Sequence, residues 1–232
     1  MLKKIPIEKI LFLDIETVPQ VSDWNKLPDD IKDLWEKKIQ FQLKENETAE
    51  EFYGKRAGIL AEFGKIICIS VGIVVKNKIK IKSYYGDDEK EILVEFSDLL
   101  NSNYFAKGVI LCAHNGKEFD FPYLGRRMLI NGLDIPSTLD VRGKKPWEIP
   151  HLDTMELWKF GDYKHYTSLN LLAAIFGIPS PKDDIDGSQV ASVYYEDKDP
   201  ERIRVYCEKD VLTLAQIFRK FRNEDLLEKE DN

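Results

Sequence analysis

The chain has 232 residues, 43% of them hydrophobic and 32% charged, with a formal net charge of −7. This length suits one large α/β domain or two small ones, and no apolar run is long enough to span a bilayer. The negative balance is a poor fit to a protein that grips duplex DNA through its overall charge, but does not exclude one that holds a short single strand in a local groove.

The N-terminus, MLKKIPIEKILFLDIE, sets lysines before an apolar stretch, yet that stretch is short, runs into acids and lacks a small-residue cleavage site. A cytoplasmic protein is expected. Residues 10–15 read as a strand. Ile10, Leu11, Phe12 and Leu13 are apolar on both alternating faces, as in a strand buried in the middle of a sheet. Asp14 and Glu16 follow, and strand alternation puts both carboxylates on one face. Such a pair repels. Either the strand end meets solvent, or a hard divalent cation such as Mg²⁺ or Mn²⁺ turns the repulsion into attraction.

Residues 22–62 are charged and mostly helical, with Leu27, Ile31, Leu34, Trp35 and Ile39 as an apolar stripe. The run IICISVGIVV at 66–75 is a second buried strand, a turn follows at 76–78, and IKIKSYY at 79–85 alternates as a half-exposed antiparallel strand. A helix is expected near 88–101, a buried strand at 109–113, and a helix from about 120 to 131 that stops at Asn131 and Gly132. Residues 139–150 are irregular and basic, and HLDTMELW at 151–158 reads as a strand. Helices follow near 167–176, 187–195 and 200–222, then a charged, fraying tail at 223–232. DDIDG at 183–187 reads as a turn, because the twelfth position of a calcium loop would be Tyr195. The pattern predicts one α/β domain: a central mixed sheet flanked by helices, with 22–62 as a helical insertion after the first strand.

Two further acids are out of place. The last helix opens with Asp199 as N-cap and Pro200 at its first position. Its stripe runs Ile203, Cys207, Leu214, Ile217, Phe221, and the missing step falls at Asp210. A carboxylate in a buried stripe is costly unless paired or bound to metal. Tyr206 projects beside it one turn earlier, whereas Arg204 and Lys209, the available cations, point elsewhere. The segment AHNGKEFDFPYLGRRM places Asp120 where a loop becomes a helix. Alone it would be an ordinary cap. The strand before it, however, is buried like the first, so both strand ends are expected at one sheet edge. Cys68, Cys112 and Cys207 read as small buried residues, and His114, His151 and His165 have no zinc spacing.

The segments FLDIETVP, HNGKEFDFPYLGRRM and YCEKDVLTLAQIF resemble the three motifs of the DnaQ-like 3′–5′ exonuclease superfamily. Nearly the whole chain, including HLDTMELWKFGDY and IPSPKDDIDGSQV, is similar to predicted exonucleases related to the proofreading domain of family B DNA polymerases. Tyr206 and Asp210 fit the tyrosine-type (DEDDy) third motif; the histidine type would need His at Val205. The segment 22–62 is longer than in a minimal proofreading domain. The resemblance implies a ribonuclease H-like fold, two divalent ions (Mg²⁺ or Mn²⁺), and removal of nucleotides from the 3′ end of single-stranded DNA. It assigns Asp14, Glu16 and Asp210 to the ion carrying the attacking water, and Asp14 with Asp120 to the ion near the leaving oxygen. Tyr206 would orient the water, since a tyrosine pKa near 10 makes a poor base at neutral pH. Asn115 and Phe119 match the second motif and would contact the terminal nucleotide, although Phe119 reads equally well as core. His151 and Asp153 default to roles at a strand edge. The competing readings are an exoribonuclease with the same site and a non-catalytic nucleic-acid-binding module on the same fold.

Overall fold

The computed structural model describes residues 2–105, 108–162, 164–179 and 185–229. Its centre is β1 (Ile10–Pro19), paired antiparallel with β2 (Gly64–Val75), which pairs antiparallel with β3 (Lys78–Tyr85). On the other side of β1 lie β4 (Ile110–Ala113) and β5 (Leu152–Asp153), both parallel, and β6 (Glu228–Lys229) closes the far edge parallel to β3. The strand order is β5-β4-β1-β2-β3-β6. The helices are α1 (Asp29–Ile39), α2 (Ala49–Arg56), α3 (Glu89–Asn101), α4 (Asp120–Ile130), α5 (Thr154–Lys159), α6 (Leu169–Ile175), α7 (Val190–Ser192) and α8 (Pro200–Phe221). Among the described residues no helix is long and apolar enough to cross a membrane.

Alternation along β1 sorts its side chains between two layers. Leu11, Leu13 and Ile15 pack with Leu93 and Phe96 of α3 and with Leu124 and Met128 of α4. Ile10 and Phe12 pack on the other face against Val211, Leu214, Ala215 and Phe218 of α8. Asp14 and Glu16 continue that second face, so the fold aims both acids toward α8. Gly72 of β2 lets the helix come close, because a Cβ there would lie 2.8 Å from the Val211 side chain.

Several expectations need correction. β1 does not end at residue 15 but runs on to Pro19, with a register shift between Glu16 and Thr17. The two acids therefore sit inside a paired strand beside a bulge, a feature common near active sites. The stripe of α8 has no missing step: Val211 fills it and is buried, while Asp210 lies beside the stripe, half-buried. Residues 151–158 are not a strand. Only Leu152 and Asp153 pair, and Thr154–Lys159 is helical. The region 187–195 contains only a short α7, followed by a π-helical turn at Val193–Asp197. In the tail, residues 228 and 229 pair with β3 rather than fray, and Gln216 of α8 clamps the chain ahead of them through two 2.8 Å bonds to the Leu227 backbone. Asp183 and Asp184 of the DDIDG stretch lie outside the described residues; Asp186 forms the expected turn, accepting from the Ser188 N–H at 2.8 Å.

Within 22–62 the helical stripe holds at Trp35 and Ile39, which join Leu27, Tyr53, Ala57 and Phe63 in a separate small core, while Leu34 is exposed. This segment is fastened to α4. The Tyr123 hydroxyl donates to the Gly58 carbonyl at 2.7 Å, and Arg127 Nη1 donates to the Ala61 carbonyl at 2.8 Å. Arg127 also forks onto buried Glu89, at 2.8 and 2.5 Å, and Glu89 accepts further bonds from the Ile66 N–H and the Asn131 amide. One carboxylate thus joins α3, β2 and α4. Because removing one partner of a buried pair strands the other charge, Arg127→Ala should lower the unfolding free energy by about 3–5 kcal/mol in urea denaturation. A loss below about 1 kcal/mol would show that the network is dispensable.

Candidate active site

The site forms where α8 crosses β1. Asp199 caps the helix by accepting from the Arg202 N–H at 3.0 Å, with Pro200 following it as the sequence predicts. Tyr206, Cys207 and Asp210 then lie on the side of α8 that faces the strand. The Cys207 thiol is 3.4 Å from both the carbonyl oxygen and Oδ2 of Asp14. Ligand-capable atoms of Asp14, Glu16 and Cys207 all lie within 4.8 Å of one another. Asp120, only 3% exposed, is brought in from the first turn of α4 and accepts from the Ile15 N–H.

The electrostatics follow from this crowding. Burial raises the Asp14 carboxyl well above its usual range, and Glu16, Asp210 and Asp120 add to the rise. Glu16 is raised by burial, then by Asp210, Cys68 and Asp120, and it shares a hydrogen bond with Asp14. Burial raises Asp120 to about 8, offset in part by its own backbone N–H, while Asp153 pushes it up further. The Tyr206 hydroxyl is raised by burial and then by Asp210, Glu16 and Asp14, and it hydrogen-bonds Asp210. It is therefore a protonated donor at neutral pH. The Cys207 thiol, raised by burial and by neighbouring Cys68, is likewise a donor to Asp14 and not a thiolate. Arg204 does not neutralise the acids; Glu201 and Glu208 hold it on another face of α8.

The loop between β4 and α4 is shaped by sterics and by one carboxylate. Asn115 takes a left-handed conformation (φ 65°). At Gly116 a Cβ would lie 2.4 Å from that of Ala113. Asp153 then accepts from the backbone N–H groups of Asn115, Lys117, Met155 and Glu156 at 2.9–3.2 Å. With four donors on its oxygens it is a loop anchor and helix cap, not an ion ligand. The spacing of Asp153 and Glu156 is that of a helix N-terminus, a signal hidden by the strand reading of 151–158. Phe119 packs its half-buried ring 5.3 Å from Tyr123, and Asn115 edges a cleft beside the loop. His151 lies away from the acids as a neutral core residue. Its Nδ1 accepts from the Leu111 N–H at 3.3 Å and its Nε2 donates to the Thr138 carbonyl at 2.8 Å.

All five residues singled out around the third motif and its partners, Asp14, Glu16, Asp120, Tyr206 and Asp210, fall within one electrostatic neighbourhood. Cys207 is the member that the sequence reading treated only as a buried thiol. The donor set suits hard divalent ions: carboxylate oxygens, crowded enough to keep protons that a dication would displace.

Comparison with known proteins agrees with this geometry. Residues 59–230 match the family described as predicted 3′–5′ exonuclease related to the exonuclease domain of PolB; the match includes Asp120, Tyr206 and Asp210 and begins after Asp14 and Glu16. The structure is similar to that of the family B DNA polymerase from the hyperthermophilic archaeon Pyrobaculum calidifontis, with a TM-score of 0.52 and 15% identity over 89% of this chain. The matched part is 24% of that polymerase, so this chain spans about a quarter of its length. The common fold is the ribonuclease H-like α/β arrangement, a mixed sheet flanked by helices. Matched over most of its length, and folded accordingly, the chain belongs to the family of predicted 3′–5′ exonucleases related to the exonuclease domain of PolB.

Proposed function

We propose that the chain is a single-domain, metal-dependent 3′–5′ exonuclease that hydrolyses phosphodiester bonds at the 3′ end of single-stranded DNA. The observation that carries this reading is the convergence of carboxylates from β1, α4 and α8 around one point that also holds a tyrosine hydroxyl. Asp14, Glu16 and Asp210 would hold one Mg²⁺ or Mn²⁺, and Asp14 with Asp120 a second. Such a pair, when bound, supplies charge stabilisation to the attacking and leaving oxygens of an in-line displacement. The preference for DNA rests on the likeness to a DNA polymerase.

The side chains have separable tasks. Tyr206 keeps its proton and orients water by hydrogen bonding; it does not act as a base. Cys207 fixes the Asp14 carboxylate through its thiol. Asp153 holds the loop that leads into Asp120. Asn115 and Phe119 meet the terminal nucleotide, the ring by stacking on its base.

Three measurements test this. With Mg²⁺ or Mn²⁺, a 5′-labelled DNA oligonucleotide should shorten stepwise, while a 3′-labelled one should release its label in the first step. RNA should be cut more slowly. Absence of turnover on any of these substrates would overturn the reading. Tyr206→Phe should lower kcat by about 10- to 1000-fold with little change in KM, as expected for losing one positioned group. An unchanged kcat would remove the hydroxyl from the mechanism.

The third measurement uses the protons. In chelator, the folded protein retains protons that the unfolded chain releases above about pH 4. The stability they confer is complete below that pH and is lost as pH rises toward the folded-state value, about 8 for Asp120. The melting temperature should therefore fall between about pH 5 and 8 in EDTA, and less steeply in Asp120→Asn. Saturating Mn²⁺ should raise it most at the alkaline end, where no proton competes. Identical slopes in the two proteins would show that Asp120 is not held protonated.

A further inference from the structure

A cleft of about 410 Å³ opens beside Asn115, with Ile149, Asp153 and Met155 among its lining residues. That volume lies in the range that accepts a nucleotide-sized group. The cleft adjoins the loop that leads to the acids: Asn115 and Glu118, which line it, belong to the segment that runs into Asp120, and Asp153, also lining it, anchors that segment by accepting from the Asn115 and Lys117 N–H groups. Three solvent-exposed aromatic side chains are tied to its lining residues, two as chain neighbours and Tyr166 through Lys159. Trp147, flanked by the lining residue Pro146, is 76% exposed; Phe160, between lining residues Lys159 and Gly161, is 91% exposed; Tyr166 is 64% exposed.

These rings are not core residues that happen to be solvated. Phe160 caps the C-terminus of α5 in the left-handed region, at φ 45° and ψ 33°. That position favours glycine and penalises a side chain, so folding alone gives no reason for an exposed phenyl ring there. Lysine ammonium groups already sit over two of the rings, Lys159 4.2 Å from the Tyr166 centroid and Lys145 5.3 Å from the Trp147 centroid. The lining lysines are matched by acids, Lys117 with Glu156 at 2.6 Å and Lys159 with Glu118 at 3.9 Å. A ligand here would be held mainly by ring faces rather than by excess positive charge.

We propose that this cleft and its three rings form a stacking track for the unpaired bases that precede the 3′-terminal nucleotide. The proposal rests on the exonuclease reading for the direction of the strand: the terminal nucleotide lies at the acids, and its 5′ neighbours pass Asn115 onto Phe160, Tyr166 and Trp147. Aromatic platforms of this kind tolerate any sequence, because every base has a π-face.

The test is fluorescence anisotropy of the full chain in EDTA with a labelled thymidine oligomer of about ten nucleotides. Phe160→Ala and Trp147→Ala should each weaken binding by about 5-fold or more. The slope of log Kd against log salt should stay the same, because no charge is removed. Phe160→Gly should weaken binding while holding or raising the melting temperature, which separates ligand contact from a structural role. An abasic position moved along the oligomer should reduce wild-type affinity at one register and cost nothing further at that register in Phe160→Ala. Failure of the wild type to bind, or variants within about 2-fold of it with an unaltered abasic penalty, would overturn the track. Because binding is read in chelator and turnover in metal, loss of the track and loss of the exonuclease reading give different results.

Discussion

Like charges forced together at the crossing of α8 and β1 set the terms for the rest of the molecule. Burial raises the proton affinity of Asp14 and Glu16, Asp210 and Asp120 add to the rise, and an apolar layer packs on the same face of β1. The chain buries carboxylates in a second and opposite manner. Glu89 is satisfied within the protein by a guanidinium, an amide and a backbone N–H. Asp153, with four backbone donors, is also complete. The contrast makes the site intelligible: Glu89 and Asp153 are surrounded by cationic and backbone donors, whereas at the crossing the carboxylates Asp14 and Glu16 also meet further carboxylates.

The supporting elements meet at α4. Its first residue is Asp120, and about one and two turns later Tyr123 and Arg127 grip the segment before β2. The placement of Asp120 is thus tied to the 22–62 segment through one rigid helix. The family match starts near the end of that segment, at residue 59, so half of the acidic set lies outside it. Strand pairing restores the connection, because Asp14 and Glu16 stand in register with Ser70 and Cys68 of the matched region.

Much of this was legible in the sequence, for identifiable reasons. Long elements with a clear period, β1, β2, β3, α3, α4 and α8, were read within a few residues of their observed ends. The shared face of Asp14 and Glu16 followed from alternation alone. What escaped was short or remote. β5 has two residues, too few for any period to register. The contact of Cys207 with Asp14 joins positions 193 apart and has no local signature. Asp210 was noticed for a gap in the stripe that Val211 fills; the acid mattered, but the geometric reason was different. Leu34 shows the converse, an apolar residue at helical spacing that the small core around Trp35 leaves outside.

The tail that pairs with β3 also bears on self-association. β3 is the last long strand of the sheet, and an open edge of that kind invites pairing with another chain. Among the described residues β6 pairs with Lys78 and Ile79, and the neighbouring outer positions include Lys80 and Lys82. A second copy laid along this edge would bring like-charged rows together and would first have to displace the segment clamped by Gln216. Two residues of strand, two backbone bonds and neighbouring lysines thereby disfavour edge-to-edge pairing at the side of the sheet farthest in strand order from β5.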